Sequence, residues 1–174
     1  MPNLSKAFLT FLTASFLGTS MQAGNSDVEI RVVPKKEAAE TDRGRGEGGR
    51  AVTKENWTYE VTIENKTFKD LTNIEIKYLI FFKQEKLGSK EAATPRRQNG
   101  STTVDVLKPR EKKVIKTNPV ELKKSNLVGA YHYPDGARPN AQDSLGGVWV
   151  RVFLGGQQYA EYANPSTLMR EKWE

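Results

Sequence analysis

The chemistry open to this chain is narrowed first by what it lacks: among 174 residues there is no cysteine and one histidine, His132. Without thiols, disulfide frameworks, thiolate metal sites and cysteine nucleophiles are excluded. Imidazole chemistry rests on His132 alone, in the string Tyr131-His132-Tyr133-Pro134-Asp135-Gly136. A Ser-His-Asp hydrolase needs a serine activated by such a base, and no G-x-S-x-G elbow occurs. A metal site drawn from His132, Asp135 and Asp143 matches no tight ligand spacing, and Asp135-Gly136 reads as an ordinary turn. Glycoside hydrolysis needs two carboxylates in a cleft, one with a raised pKa. Glu60, Glu64 and Glu75 instead fall on strand faces among Thr and Lys, as a solvated surface does. Gly44-Arg45-Gly46-Glu47-Gly48-Gly49 lacks the pattern of a phosphate cradle. The expectation is a noncatalytic protein without cofactor or metal, a small hydrolase around His132 being the alternative.

Binding chemistry is better represented. Lys and Arg number 27 against 21 Asp and Glu, a net charge of +6. The basic residues are spread among nearly as many acids, which argues against nucleic acid and fits attraction to anionic glycans or envelope surfaces. Two-residue alternation supplies a sharper candidate. If Val148, Val150, Val152 and Leu154 face a core, then Trp149, Arg151 and Phe153 face away from it. The same rule turns Leu79 and Phe81 outward when Tyr78, Ile80 and Phe82 face inward, and Glu161 places Tyr159 on the outer side. If 72–83 and 148–163 share one sheet, Leu79, Phe81, Trp149, Arg151, Phe153 and Tyr159 form a candidate binding face, with Tyr131, His132 and Tyr133 a candidate binding loop. Aromatic groups on a wet face mark either a contact site or a surface covered by another part of the chain. The tail Leu168–Trp173 has apolar groups and few other places to bury them, so cover is the expected reading.

The elements that position these residues follow an address. Lys6, an apolar run from Ala7 to Leu17 and a small-residue exit make residues 1–23 a secretory signal peptide. The run is about half the ~20 residues a spanning helix needs, so no stable membrane anchor is expected after cleavage. Export without cysteines fits a bacterial route, to periplasm, cell surface or medium. Residues 24–174 are expected to form one domain, with the charged, Gly-rich stretch 34–50 a flexible loop or linker. Strands are predicted at 28–33, 57–63, 74–82, 102–107 and 113–117, and a hairpin, 148–154 with 157–163, turns at Gly155-Gly156. Longer connections are expected over 85–100 and 124–147. A short helical turn follows Pro165, with Ser166 or Thr167 as its cap. About seven short strands without a helical period make this all-β: an antiparallel β-sandwich with long loops.

The string from Trp57 to Phe82, the turn V-L-K-P-R-E-K at 106–112 and the ending G-V-W-V-R-V-F-L-G-G-Q-Q-Y-A-E-Y-A-N-P-S-T-L at 147–168 resemble secreted bacterial immunoglobulin-like domains related to fibronectin type III. FxLYD-type extracellular domains are the nearest pattern. Tyr78, Ile80, Phe81 and Phe82 stand where that family's F-x-L-Y-D string falls, with three of its five positions altered. The resemblance spans about two thirds of the chain and rests on packing motifs. It implies a noncatalytic module for binding or assembly at the bacterial envelope or surface, adhesion and pilus association included. The partner would be an envelope or surface protein or a glycan. A structural periplasmic component that pairs a strand edge is the second expectation.

Overall fold

The computed structural model of the chain describes residues 27–43, 49–128, 133 and 135–173; the expected signal peptide lies outside them. Among these residues are nine strands: β1 (Val28–Arg43), β2 (Arg50–Asn65), β3 (Leu71–Gln84), β4 (Thr94–Leu107), β5 (Lys112–Lys116), β6 (Val120–Leu127), β7 (Asn140–Gln142), β8 (Ser144–Leu154) and β9 (Gln157–Asn164). A single 3-10 turn, Ser166–Arg170, follows. One sheet runs β4-β3-β8-β9, the other β1-β2-β6-β7, with β5 pairing β2 below β6. Every pair is antiparallel. The two sheets pack as a sandwich, and β3 shares its sheet with the β8–β9 hairpin.

Alternation drives that packing. Ile74, Ile76, Tyr78 and Ile80 on β3 and Val148, Val150 and Val152 on β8 are buried against Tyr59, Val61 and Ile63 of β2. Each such aliphatic side chain contributes about 1.5–3 kcal/mol by leaving water. Tyr78 has a second task. Its ring lies over Gly100, its cross-strand neighbour, where an added methyl would overlap it. Its hydroxyl accepts the Asn118 N–H at 2.9 Å, tying β3 to the link between β5 and β6.

Turn chemistry closes the ends. Buried Asn65 uses its whole amide: Nδ2 donates to the Lys69 and Leu107 carbonyls, and Oδ1 accepts from Thr67 N–H and hydroxyl. At Lys108-Pro109-Arg110-Glu111, Glu111 N–H bonds the Lys108 carbonyl, with Pro109 setting the turn and Arg110 at φ 62. Gly155 and Gly156, at φ 56 and 84, make the β8–β9 turn in the conformation that asks for glycine at both positions.

Three expected loops are in part strand. The stretch 34–50 is no linker: through Arg43 it continues β1, and Arg50 opens β2, the two running antiparallel as far as Arg43 opposite Ala51. Residues 44–48 lie outside the described residues. No apolar period marks this ribbon because much of it projects past the core. Backbone ladder bonds and cross-strand ion pairs such as Lys36–Glu55 and Lys35–Glu60 hold it instead. For the same reason β4 starts at Thr94, inside the polar stretch 85–100, and β6, β7 and the start of β8 occupy much of 124–147. The final turn is capped by neither Ser166 nor Thr167: Pro165 holds the cap position without a side-chain bond.

Candidate functional site

The outer face of the β4-β3-β8-β9 sheet brings the outward rows of β3 and β8 side by side. Leu79 stands opposite Trp149, Lys77 opposite Arg151, Glu75 opposite Phe153 and Phe81 opposite Gly147. The face is nevertheless closed at its centre, with Trp149 only 2% and Leu79 4% exposed. The C-terminal tail lies on it. Trp173 meets Trp149 edge to face, ring centroids 4.8 Å apart at 88°. The Arg151 guanidinium sits 4.5 Å from the Trp149 ring and 4.3 Å from that of Trp173. Glu161 Oε1 completes the cluster, accepting from Trp149 Nε1 at 2.8 Å and Arg151 Nε at 2.7 Å. Further along, Arg97 Nη1 donates to the Lys172 carbonyl, and Leu168 reaches the α-carbon of Gly147 so closely that a side chain there would collide. The tail thus occupies the place a partner would take. Phe81 and Phe153 stay half-buried, Phe153 beneath the Lys77 ammonium at 5.0 Å.

Tyr159 does not join this face. The β8–β9 register shifts after Val152, so Ala160 pairs with Val152 while Gln158 pairs with Phe153. The extra residue is Tyr159, and the bulge turns it inward against the core edge, where its hydroxyl donates to Asp27 Oδ2 at 2.9 Å. Burial, then that bond, raises its pKa. Counting by twos from Glu161 misses this because a bulge inverts the parity of everything beyond it.

Of the candidate loop, Tyr131 and His132 lie outside the described residues. Tyr133 packs its ring over Gly88, whose N–H bonds the Arg138 carbonyl, so the loops after β3 and before β7 close on each other. Asp135 and Asp143 both accept backbone hydrogen bonds. Asp135 Oδ1 accepts the Ala137 N–H, and Asp143 accepts Glu85 N–H on Oδ1 and Lys123 N–H on Oδ2, both at 2.9 Å. Asp143 is buried and links the end of β3 to β6 across the sandwich. Among the described residues no group of three His, Asp or Glu could hold a metal ion.

Two surfaces went unnoticed in the sequence. A cleft of about 410 Å³ between the sheets is lined by Arg50, Lys86, Arg96 and Lys123 together with Glu85 and Asp143. Both carboxylates accept backbone N–H bonds there, Glu85 from Gln142 and Asp143 as above. Among the described residues, Arg50 and Arg96 bond only neutral oxygens, of Ser125 and Gln84. No spacing in the chain announces this, since its cations come from four separate strands and loops. The second surface is the open edge of β4, whose register with β3 runs unshifted from Thr94 to Leu107. From Gln98 to Val104 it carries no charge and no proline. The other edges are blunted. β1 has Pro34, Lys35, Lys36 and a bulge at Glu37, β5 reads K-K-V-I-K, β7 is 3 residues long, and β9 carries the bulge at Tyr159.

The strand pairing defines an all-β sandwich of two antiparallel sheets. No family model matches the chain, and no curated protein matches it. Among solved structures, a crystal structure from Akkermansia muciniphila is similar over 82% of this chain and 73% of its own, at 10% identity and a TM-score of 0.27. A likeness that weak carries no argument, and the architecture rests on the strand pairing itself. No helix among the described residues is long and apolar enough to cross a membrane.

Proposed function

We propose that this chain is a noncatalytic, exported binding or assembly module of the bacterial envelope or surface, contacting a protein partner by strand addition at β4. Adhesion and pilus assembly are settings that such a module serves. The observation that carries the reading is the β4 edge: 14 residues long and, from Gln98 to Val104, free of every device that normally blocks pairing. The aromatic face supports it less, because its own tail covers it. Successive residues in a strand point their N–H groups to opposite sides. Of Ser101 and Thr102, one therefore aims its N–H at the open edge, and proline at that position blocks the edge while sparing the ladder to β3. The variant of this pair that keeps the wild-type melting temperature should lose capture of its partner from envelope extract, while Trp173→Ala should keep it. Capture unchanged by the edge variant refutes the contact. Cell fractionation with mass spectrometry of the mature N-terminus tests export; a leader still attached refutes it.

The basic cleft favours a second reading, an acidic glycan held by Arg50 and Arg96. Retention on a sulfated or carboxylated oligosaccharide column should then fall in Arg50→Gln and Arg96→Gln and persist in the edge variant.

A further inference from the structure

Resting on the edge reading above, we infer that the occupant of the β4 edge is a second copy of this chain, paired antiparallel about a twofold axis at Ser101. The register follows from charge. With Ser101 opposite Ser101, Gly100 faces Thr102, Asn99 faces Thr103 and Gln98 faces Val104, and no like charges meet. One step further out, Arg97 of each copy stands opposite Asp105 of the other, giving two symmetric ion pairs at the ends of an uncharged centre. Arg97 is on the outer face, opposite the outward Phe81, and Asp105 directly follows the inward Val104, at the point where alternation ends with Val106 exposed and Leu107 buried. Both are exposed. Neither has a charged partner within the described residues. Arg97 bonds only the Lys172 carbonyl, and Asp105 has no hydrogen bond or ion pair. A slip of two residues loses the match, setting Asp105 opposite Pro95, which has no N–H to give, or opposite Asn99. Cross-strand charge pairs stabilise a ladder and like charges oppose it, so the sequence of this edge favours one self-pairing register. The product is one continuous eight-stranded sheet through two sandwiches, a closed isologous dimer. Its outer surfaces, tails included, lie on one side.

Sedimentation velocity of the protein as the cell processes it reads the outcome. A dimer is expected. Arg97→Asp and Asp105→Arg should each weaken it about tenfold or more, because each sets like charges opposite one another twice over. The double exchange should restore it. Ser101→Glu, which sets two carboxylates face to face at the axis, should give a monomer with an unchanged circular dichroism spectrum. A wild-type monomer at high concentration overturns self-pairing, as does a dimer indifferent to these changes or a double exchange that fails to rescue. If the wild type is monomeric while the edge proline still abolishes capture from extract, self-pairing falls and the edge reading stands. If neither responds, both fall.

Discussion

Removing the last tryptophan should cost this fold far more than its place near a chain end suggests. Trp173 is half-buried on the outer face, edge-on to Trp149 and beside the Arg151 guanidinium. An aromatic pair in such geometry is worth about 0.5–1.5 kcal/mol beyond burial, and the cation contact about 0.5–1 kcal/mol. Half of a tryptophan's ~200 Å², at about 25 cal/mol per Å², adds about 2.5 kcal/mol. These contributions overlap, and the unfolded chain buries part of the same area. Trp173→Ala is therefore expected to lower unfolding free energy by about 2–3 kcal/mol and the melting temperature by about 5–10 °C. Trp149→Ala should cost about 3–5 kcal/mol, and the double variant should show coupling of about 1 kcal/mol because the two indoles share one contact. Urea titration followed by far-ultraviolet circular dichroism measures all three without relying on indole fluorescence. If Trp173→Ala stays within about 0.5 kcal/mol of wild type, or the two costs simply add, the tail does not cover this face.

Asp143→Ala leaves the Glu85 and Lys123 N–H groups without an acceptor, so a loss of about 2–4 kcal/mol is expected; Asp143→Asn, which keeps one oxygen, should lose less in the same titration. Gly147→Ala meets the Asn164 carbonyl, Pro165 and Leu168 at φ 133. It should destabilise by at least about 2 kcal/mol, read as a lowered melting temperature with the tail released to protease. Acid should weaken the fold through Glu29 and Glu64, both held below the ordinary carboxylate value of 4.5, first by hydrogen bonds from Lys66. A depressed folded pKa gives stability present above the unfolded value and lost as pH falls through the folded one. The acid limb should therefore flatten in Lys66→Ala and in high salt. Alkali acts through Tyr59, which burial pushes up from 10.0 to about 12. The unfolded chain ionises first, so stability should fall as pH rises from 10 toward 12, and Tyr59→Phe should blunt that fall.

Side-chain alternation on β2, β3 and β8 was enough to establish an all-β fold and its inner rows. Burying Ile74, Ile76 and Ile80 on one flank leaves a strand no other way to lie, and Gly155-Gly156 and Pro109 mark their own turns. The coverage of the outer face was foreseeable as well, since Leu168 and Trp173 had little else to bury against. What stayed hidden depends on neighbours. The β1–β2 ribbon from 34 to 56 has no apolar rhythm because ladder hydrogen bonds and ion pairs, which residue type scarcely records, hold it beyond the core. Tyr159 changes face through a bulge that only pairing with β8 reveals. Asp143 becomes a brace, and Arg50 and Arg96 become the walls of one cleft, only when distant strands are brought together. The composition of one strand states its own inner and outer sides; which edge remains open depends on which strands end up beside it.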